Sequence, residues 1–131
     1  VKGMGIKKGA LAGTVAHDSH NLIVVGIDDK DMLAAAEAVA KMGGGFAVVQ
    51  DGKVAAKTPL PIAGLMSNEP VNDVINELEK LNTQAEKLGG GLKNPFMALS
   101  FLALPVIPRL KITDKGLVDV EKFDFIDMWG E

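Results

Sequence analysis

Two glycine triplets, at residues 43–45 and 89–91, constrain the fold of this chain more than any other feature of its sequence. Each follows a segment whose apolar residues recur at helical spacing, and a glycine after a helix supplies the left-handed conformation that ends it. A phosphate-binding loop has the opposite order, because its glycines follow a strand and open a helix. The triplets therefore predict two helix ends and do not indicate a nucleotide site.

The helices before the two triplets have recognisable starts. The first is predicted to have Asp28 or Asp29 as its N-cap. The second is predicted to be capped by Ser67 or Asn68, with Pro70 in the first turn, where its missing N–H does no harm. One face of this second helix is apolar over about five turns, and its stripe consists of Val71, Val74, Ile75, Leu78, Leu81, Ala85 and Leu88.

Short strands are predicted between the helices. Residues 22–27 form a nearly continuous β-branched apolar run, which is typical of a strand covered on both faces. Residues 46–50 and 53–57 flank Asp51-Gly52, a strong hairpin signal. The prolines within residues 58–61 argue against a central strand continuing there, since proline lacks the donor that a strand ladder requires.

The C-terminal third predicts a second hairpin. Residues 109–112 and 117–120 flank turn-forming residues at 113–116. Periodicity does not distinguish a short buried helix from a strand over residues 96–104. The order of elements predicts an α+β fold, in which a mixed sheet of short strands and hairpins carries two main helices packed mainly on one face.

Length and composition limit the classes of function. The 131 residues suffice for one core, so we expect a single domain over residues 1–131. The net charge of −3, with basic residues spread along the chain, argues against a nucleic-acid partner. The longest apolar run, residues 97–107, is too short to span a bilayer, so no membrane partner is expected. The absence of cysteine excludes disulfides and thiolate metal sites, and it favours a cytoplasmic location. Because the sequence does not begin with methionine, we expect a fragment of a longer protein.

The pentad His17-Asp18-Ser19-His20-Asn21 contains both histidines of the chain and lies between two mostly apolar runs. It combines two imidazoles, a carboxylate, a hydroxyl and an amide, which are most of the donor and acceptor types available to side chains. Burying such groups unpaired would cost several kcal/mol, so they must be hydrogen-bonded or hydrated. Two interpretations remain: a polar turn that joins two strands, or a loop that lines a site.

The pentad is a poor candidate for a self-contained metal centre or catalytic triad. With only two histidines and no cysteine, a zinc site would need carboxylates such as Asp18 or Asp28. A triad of Ser19, Asp18 and either histidine is disfavoured, because triads are assembled from positions distant in sequence.

Four segments carry a resemblance to a known family. They are AHDSHN at residues 16–21, FAVVQDG at 46–52, LPIAGLMS at 60–67 and PFMALSFLALPVIP at 95–108. In this order they resemble the C-terminal domain of the microbial adenine deaminases, members of the amidohydrolase superfamily. The resemblance covers nearly the whole chain and is weakest at residues 123–131.

The resemblance implies a function for a longer protein. Family members hydrolyse adenine to hypoxanthine and ammonia, using a divalent metal (manganese, iron or zinc) in an upstream (β/α)8 barrel that activates water. It implies that the metal ligands belong to the barrel, that this chain holds none, and that the chain alone is inactive. The expected partners are the barrel and adenine, and a homo-oligomer is compatible with them.

The pentad supplies the candidate site residues. If it lies over the mouth of the barrel, His17, Asp18 and His20 are candidates for catalysis, and Ser19 and Asn21 are candidates for substrate binding. The alternative hypothesis is a non-catalytic interaction or oligomerisation domain, with contacts through the apolar residues 60–66 and 96–107.

Overall fold

The computed structural model describes residues 1–128, and within them the chain forms seven strands, three α-helices and one 3-10 helix. In chain order these elements are β1 (Ala10–Gly13), β2 (Ile23–Gly26), α1 (Asp29–Lys41), β3 (Gly45–Gln50), β4 (Lys53–Pro59), α2 (Val71–Lys87), α3 (Pro95–Ser100), the 3-10 helix (Phe101–Ala103), β5 (Leu110–Thr113), β6 (Gly116–Asp119) and β7 (Asp124–Ile126). The predicted α+β class is confirmed.

Helix α1 starts and stops as its sequence predicts. Asp28 is the N-cap, and its side chain accepts a hydrogen bond of 2.9 Å from the backbone N–H of Asp31. This bond satisfies one of the donors that the first turn of a helix leaves free. The helix ends at Lys41, and Gly43 follows with a positive φ of 76°, as expected of a glycine that ends a helix.

The hairpin of β3 and β4 also follows the prediction. Asp51 and Gly52 both have positive φ, at 54° and 71°, the conformation that a two-residue hairpin turn requires. Strand β4 continues through Thr58 to Pro59, beyond the predicted end at residue 57. This extension is possible because β4 is an edge strand, where a missing donor costs little.

The first sheet has the strand order β2-β1-β3-β4, and every pairing in it is antiparallel. The predicted mixed sheet is therefore an antiparallel one. Strand β2 has residues packed on both faces, with Ile23 and Val25 against one core and Val24 against the other. The predicted cover on both faces of residues 22–27 is only partial, because β2 lies at an edge and is half-buried. Strands β1 and β3 occupy the centre and are the ones buried on both sides.

The helices pack on opposite faces of this sheet, not mainly on one face as predicted. Leu11 and Val48 point into a core formed with α2 and α3, which contribute Leu81, Phe96 and Leu99 among others. Their neighbours in sequence point the other way and pack against α1. The physical reason is the period of two along a strand, because apolar residues at consecutive positions of β1 and β3 give the sheet two faces to bury.

Helix α2 begins later and is less buried than its stripe predicted. It starts at Val71, and the hydroxyl of Ser67 accepts a hydrogen bond from the N–H of Glu69 in a local turn before the helix. Only the C-terminal half of the stripe is fully buried, at Leu81, Ala85 and Leu88, whereas Val71 and Ile75 are exposed. The sequence left residues 96–104 undecided, and all of them except Leu104 lie in α3 or the 3-10 helix.

The predicted closing hairpin forms between β5 and β6, with the register Thr113↔Gly116 at its turn. It does not extend the first sheet. Instead β7, which the sequence pattern did not predict, pairs with β6 to give a separate antiparallel sheet in the order β5-β6-β7. Within residues 1–128 no helix has the length and apolarity needed to cross a membrane.

Candidate functional site

The pentad forms a turn within the connection between β1 and β2. The backbone N–H of His20 donates a hydrogen bond of 2.6 Å to the carbonyl of Ala16, and His20 has a positive φ of 53°. A positive φ is uncommon for a residue other than glycine, and it occurs most often in turns and at functional sites. The turn therefore brings together side chains that an extended strand would separate.

The two imidazoles lie on the same side of this turn. The ring centroids of His17 and His20 are 5.8 Å apart, in an edge-to-face arrangement. The ring of His17 also stacks on that of Phe101, with the centroids 5.4 Å apart and an angle of 28° between the planes. No sequence pattern pointed to Phe101, because its apolar run carries no signal of contact with a turn more than eighty positions earlier.

Among the imidazole nitrogens in the described part of the chain, one in His20 is both buried and unsatisfied. Its Nδ1 atom is buried, and no hydrogen-bond partner is present for it among residues 1–128. Leaving a buried polar atom unpaired costs about 1–3 kcal/mol. Such an atom is a candidate for contact with a ligand or with another part of the protein.

The remaining members of the pentad border a large cavity. Asp18, Ser19 and Asn21 line a space of about 770 Å³ between β2 and the second sheet. The far side is formed mainly by apolar residues of the segment after α3 and of the second sheet, among them Leu102, Val106, Ile112, Val118 and Phe125. This combination of a mostly apolar lining with a few polar groups is typical of binding sites.

The described residues do not fit a metal centre. No group of three or more histidine, aspartate or glutamate side chains within residues 1–128 is placed to hold an ion. Asp28, one of the carboxylates considered from the sequence, caps α1 instead. A triad is also not assembled, because no hydrogen bond joins Ser19, Asp18 or either imidazole to another of these side chains in the described chain.

Comparison with known proteins identifies similar domains. The model of one protein family, described as the adenine deaminase C-terminal domain, matches residues 1–124. The chain is 60% identical over 129 residues to the adenine deaminase of Desulfatibacillum aliphaticivorans, with 98% of this chain and 23% of the relative covered. It is 61% identical over 127 residues to that of Oleidesulfovibrio alaskensis, covering 97% and 22% of the two chains. A more distant relative, from Dehalococcoides mccartyi, is 53% identical over 126 residues, covering 96% and 22%. The chain thus spans less than a quarter of the length of these relatives.

Proposed function

Because this chain belongs to the adenine deaminase C-terminal domain family, we propose that it serves as the accessory domain of an enzyme that hydrolyses adenine to hypoxanthine and ammonia. The observation that carries the proposal is the family match over residues 1–124, together with about 60% identity to proteins named adenine deaminase. The chain contains only the C-terminal part of such a protein. Its partner is then the upstream (β/α)8 barrel of an amidohydrolase-superfamily enzyme in the cytoplasm, and residues 1–131 act as one domain beside it.

The divalent metal, whether manganese, iron or zinc, belongs to that barrel in this proposal. When bound, it would supply a water activated for attack on the purine. No step at the metal is assigned to this chain, because its described residues do not fit a metal site. The contribution of the accessory domain must therefore come from hydrogen bonding, proton transfer or the exclusion of water.

The pentad is the segment that we assign to the active site. Barrel enzymes have their sites at the C-terminal face of the barrel, where loops and added segments complete them. The Ser19 hydroxyl and the Asn21 amide both donate and accept hydrogen bonds, which suits the edge of a purine. Replacement of the amino group requires proton delivery to the departing ammonia, and an imidazole can donate and accept protons near neutral pH. His17, His20 and Asp18 are the candidates for that transfer.

Of the two histidines, His20 is the stronger candidate. The His17 ring already has a neighbour in Phe101, whereas Nδ1 of His20 has no hydrogen-bond partner among the described residues. A substrate or barrel group that pairs with this nitrogen would remove the cost of leaving it buried and unpaired. We therefore expect His20→Ala to lower turnover more than His17→Ala.

The test is adenine kinetics of full-length variants. We expect kcat for adenine to fall in His20→Ala, His17→Ala and Asp18→Ala. The loss should be about 10²–10⁴-fold where the replaced group transfers a proton. Metal content and the thermal midpoint, measured on the same samples, should stay near wild type. Asp73→Ala, an exposed carboxylate on α2, is the matched control and should keep wild-type kinetics. Wild-type kinetics in all three pentad variants would show that the pentad is a structural turn without a role in turnover.

The isolated chain is expected to be inactive. Purified chain should release no ammonia from adenine with or without added manganese, zinc or iron, because water activation depends on a metal site that its described residues lack. Metal-dependent release that survives removal of contaminating deaminase would contradict the assignment of the metal to the barrel.

A second candidate function is that of an interaction or oligomerisation domain. Exposed apolar side chains favour it, including Met66 from the segment 60–66 and Val106 and Ile107 from the segment 96–107. In that case pentad variants would keep wild-type kcat, and Met66→Asp or Val106→Asp would change the oligomeric state. Light scattering on the full-length protein distinguishes the two functions.

A further inference from the structure

We propose that the cavity between β2 and the second sheet is the surface on which the preceding part of the same polypeptide docks. The inference rests on the proposed function only for the identity of this partner, the upstream portion of an adenine deaminase-like enzyme. It adds the location of the contact, which neither the sequence pattern nor the family match provides.

The lining of the cavity is mostly apolar, and its charged members are Asp18, Asp114, Lys115 and Asp124. Phe123 is 86% exposed, Val106 63%, Phe125 56% and Ile112 54%, and all four line the same space. Single exposed apolar residues are normal on a protein surface, but a contiguous group around one concave space marks an interaction site. A cavity of about 770 Å³ with this lining is able to receive several side chains of a partner.

The edge of the first sheet opens onto the same cavity. Strand β2 is the end strand in the order β2-β1-β3-β4, and residues 22–25 form one side of the cavity. An end strand leaves backbone N–H and C=O groups unpaired along its outer side, and proteins usually cover such an edge. Exposed apolar side chains and an uncovered strand edge therefore coincide in one place.

The occupant follows from the length of the relatives and the position of the N-terminus. The chain matches 22–23% of the length of adenine deaminases, as their C-terminal domain. In a protein of that length the preceding polypeptide reaches this domain through its N-terminal residues, and Val1 lines the cavity. The preceding part is thus tethered at the surface it would cover, which gives it a high effective concentration there compared with any separate partner.

Docking at this surface would also bring the partner to the pentad. Asp18, Ser19 and Asn21 line the cavity beside the apolar groups, so a partner seated there would meet the pentad. A combination of apolar and polar groups is usual for an interface between domains.

Cysteine labelling of the full-length enzyme tests the proposal. The 131 residues contain no cysteine, so each variant adds one thiol to this domain, and its own peptide is followed by mass spectrometry. Val106→Cys and Phe123→Cys probe the cavity, and Leu33→Cys on α1 and Val71→Cys on α2 are the matched controls. Within this domain Val106 and Phe123 are 63% and 86% exposed. The controls Leu33 and Val71 are similarly exposed, at 62% and 70%. If nothing covers the cavity, thiols at positions 106 and 123 should therefore react with N-ethylmaleimide at rates similar to those of the controls.

We expect Cys at positions 106 and 123 to react about tenfold or more slowly than at positions 33 and 71 in the folded enzyme, and all four to react alike in urea. Equal rates in the folded enzyme would overturn the proposal. So would protection that disappears on dilution together with a dimer seen by light scattering, because a second copy would then be the occupant. Thermal midpoints of the four variants verify that each is folded.

The labelling result is independent of the pentad kinetics. Free labelling at positions 106 and 123, with reduced turnover in the pentad variants, would reject the docking surface and retain the proposed function. Protection at both positions, with wild-type kinetics in the pentad variants, would retain the docking surface and reject the active-site role.

Discussion

The two sheets differ in how their apolar side chains are covered. In the four-stranded sheet, Leu11 and Ala12 of β1 and Val48 of β3 have no exposed surface, because helices pack on both faces. In the three-stranded sheet, Leu110, Ile112 and Phe125 each expose about half of their surface. The chain thus completes the core of its first sheet by itself. Within residues 1–128 it leaves the second sheet with apolar groups that other parts of a longer protein can bury.

The largest expected effect compares the cores of the two regions. Leu81 of α2 is 1% exposed and packs against the first sheet, so Leu81→Ala should lower the free energy of unfolding by about 2–5 kcal/mol through lost burial and a cavity. Ile112→Ala in the second sheet should cost less than about 1 kcal/mol, because half of that side chain is already in water. Urea denaturation of this chain measures both. Equal decreases in the free energy of unfolding would contradict the difference in burial between the two sheets.

The next effect concerns the hairpin tip of the first sheet. The carboxylate of the buried Asp31 accepts hydrogen bonds from the backbone N–H groups of Asp51 and Gly52, at 3.1 Å and 2.6 Å. Asp31→Ala should cost about 1.5–3 kcal/mol, as expected when hydrogen bonds to a charged group are lost. Glu37→Ala on the same helix breaks only an exposed pair with Lys41 and should cost less than about 0.5 kcal/mol. If Glu37→Ala lowered the free energy of unfolding by more than Asp31→Ala in chemical denaturation, the hydrogen bonds of Asp31 would not be important for stability.

Removing the hydroxyl of one threonine in each sheet should change the free energy of unfolding in opposite directions. Thr58 of β4 is fully buried, and its hydroxyl has no hydrogen-bond partner among residues 1–128. Thr58→Val should therefore stabilise the chain by about 1 kcal/mol, because it removes a buried and unpaired polar atom. In the second sheet, the Thr113 hydroxyl donates to the carbonyl of Gly116 at 2.9 Å and accepts from the N–H of Lys115 at 3.2 Å.

Thr113→Val should destabilise the chain by about 0.5–1.5 kcal/mol, since it removes these hydrogen bonds. For a chain of this size the two substitutions should shift the thermal midpoint by about 3–5 °C in opposite directions. A decrease in the thermal midpoint for Thr58→Val would show that its hydroxyl is satisfied in solution.

The smallest effect is a pH dependence in the second sheet. Partial burial raises the pKa of the Asp119 carboxyl, but hydrogen bonds from the backbone N–H groups of Lys122 and Glu121, with the Lys122 ammonium at 3.5 Å, outweigh it. The net pKa lies below the ordinary value of 3.8. A depressed pKa in the folded state stabilises the fold above the unfolded pKa, and the contribution is lost as the pH falls through the folded value.

An NMR titration of the Asp119 carboxyl should therefore give a midpoint below 3.8. Lys122→Met retains both backbone donors and should return the pKa only part of the way toward that value. Asp119→Asn should remove the corresponding loss of stability in acid. A pKa at or above 3.8 in the parent chain would show that the turn of the second sheet is not held by these bonds.

Local features of the sequence predicted most elements of the fold. The Asp28 cap, the Asp51-Gly52 turn and the glycine at position 43 each act within a few residues of chain, and all three formed as expected. The resemblance of residues 16–21 and 95–108 to a known family was likewise visible without a structure, and the family match confirmed it. These signals are local or matched by sequence alone, so they need no knowledge of how distant parts of the chain meet.

The tertiary structure decided what depends on distant contacts. The sequence showed that α2 has an apolar stripe, but only packing determined that Leu81 is buried while Val71 is exposed. The placement of the helices on opposite faces depended on which strands became central, and edge strands have the same local pattern as central ones.

The candidate site shows the same division. The sequence determined that the pentad is a polar interruption between apolar runs. Only the fold placed His17 on Phe101 and brought Asp18 to a cavity shared with the second sheet. It also buried Nδ1 of His20 without a hydrogen-bond partner among residues 1–128. The physical reason is that these contacts join residues as many as one hundred positions apart. Burial of apolar surface stabilises these contacts, and it depends on how the whole chain packs. No single position in the sequence therefore encodes them.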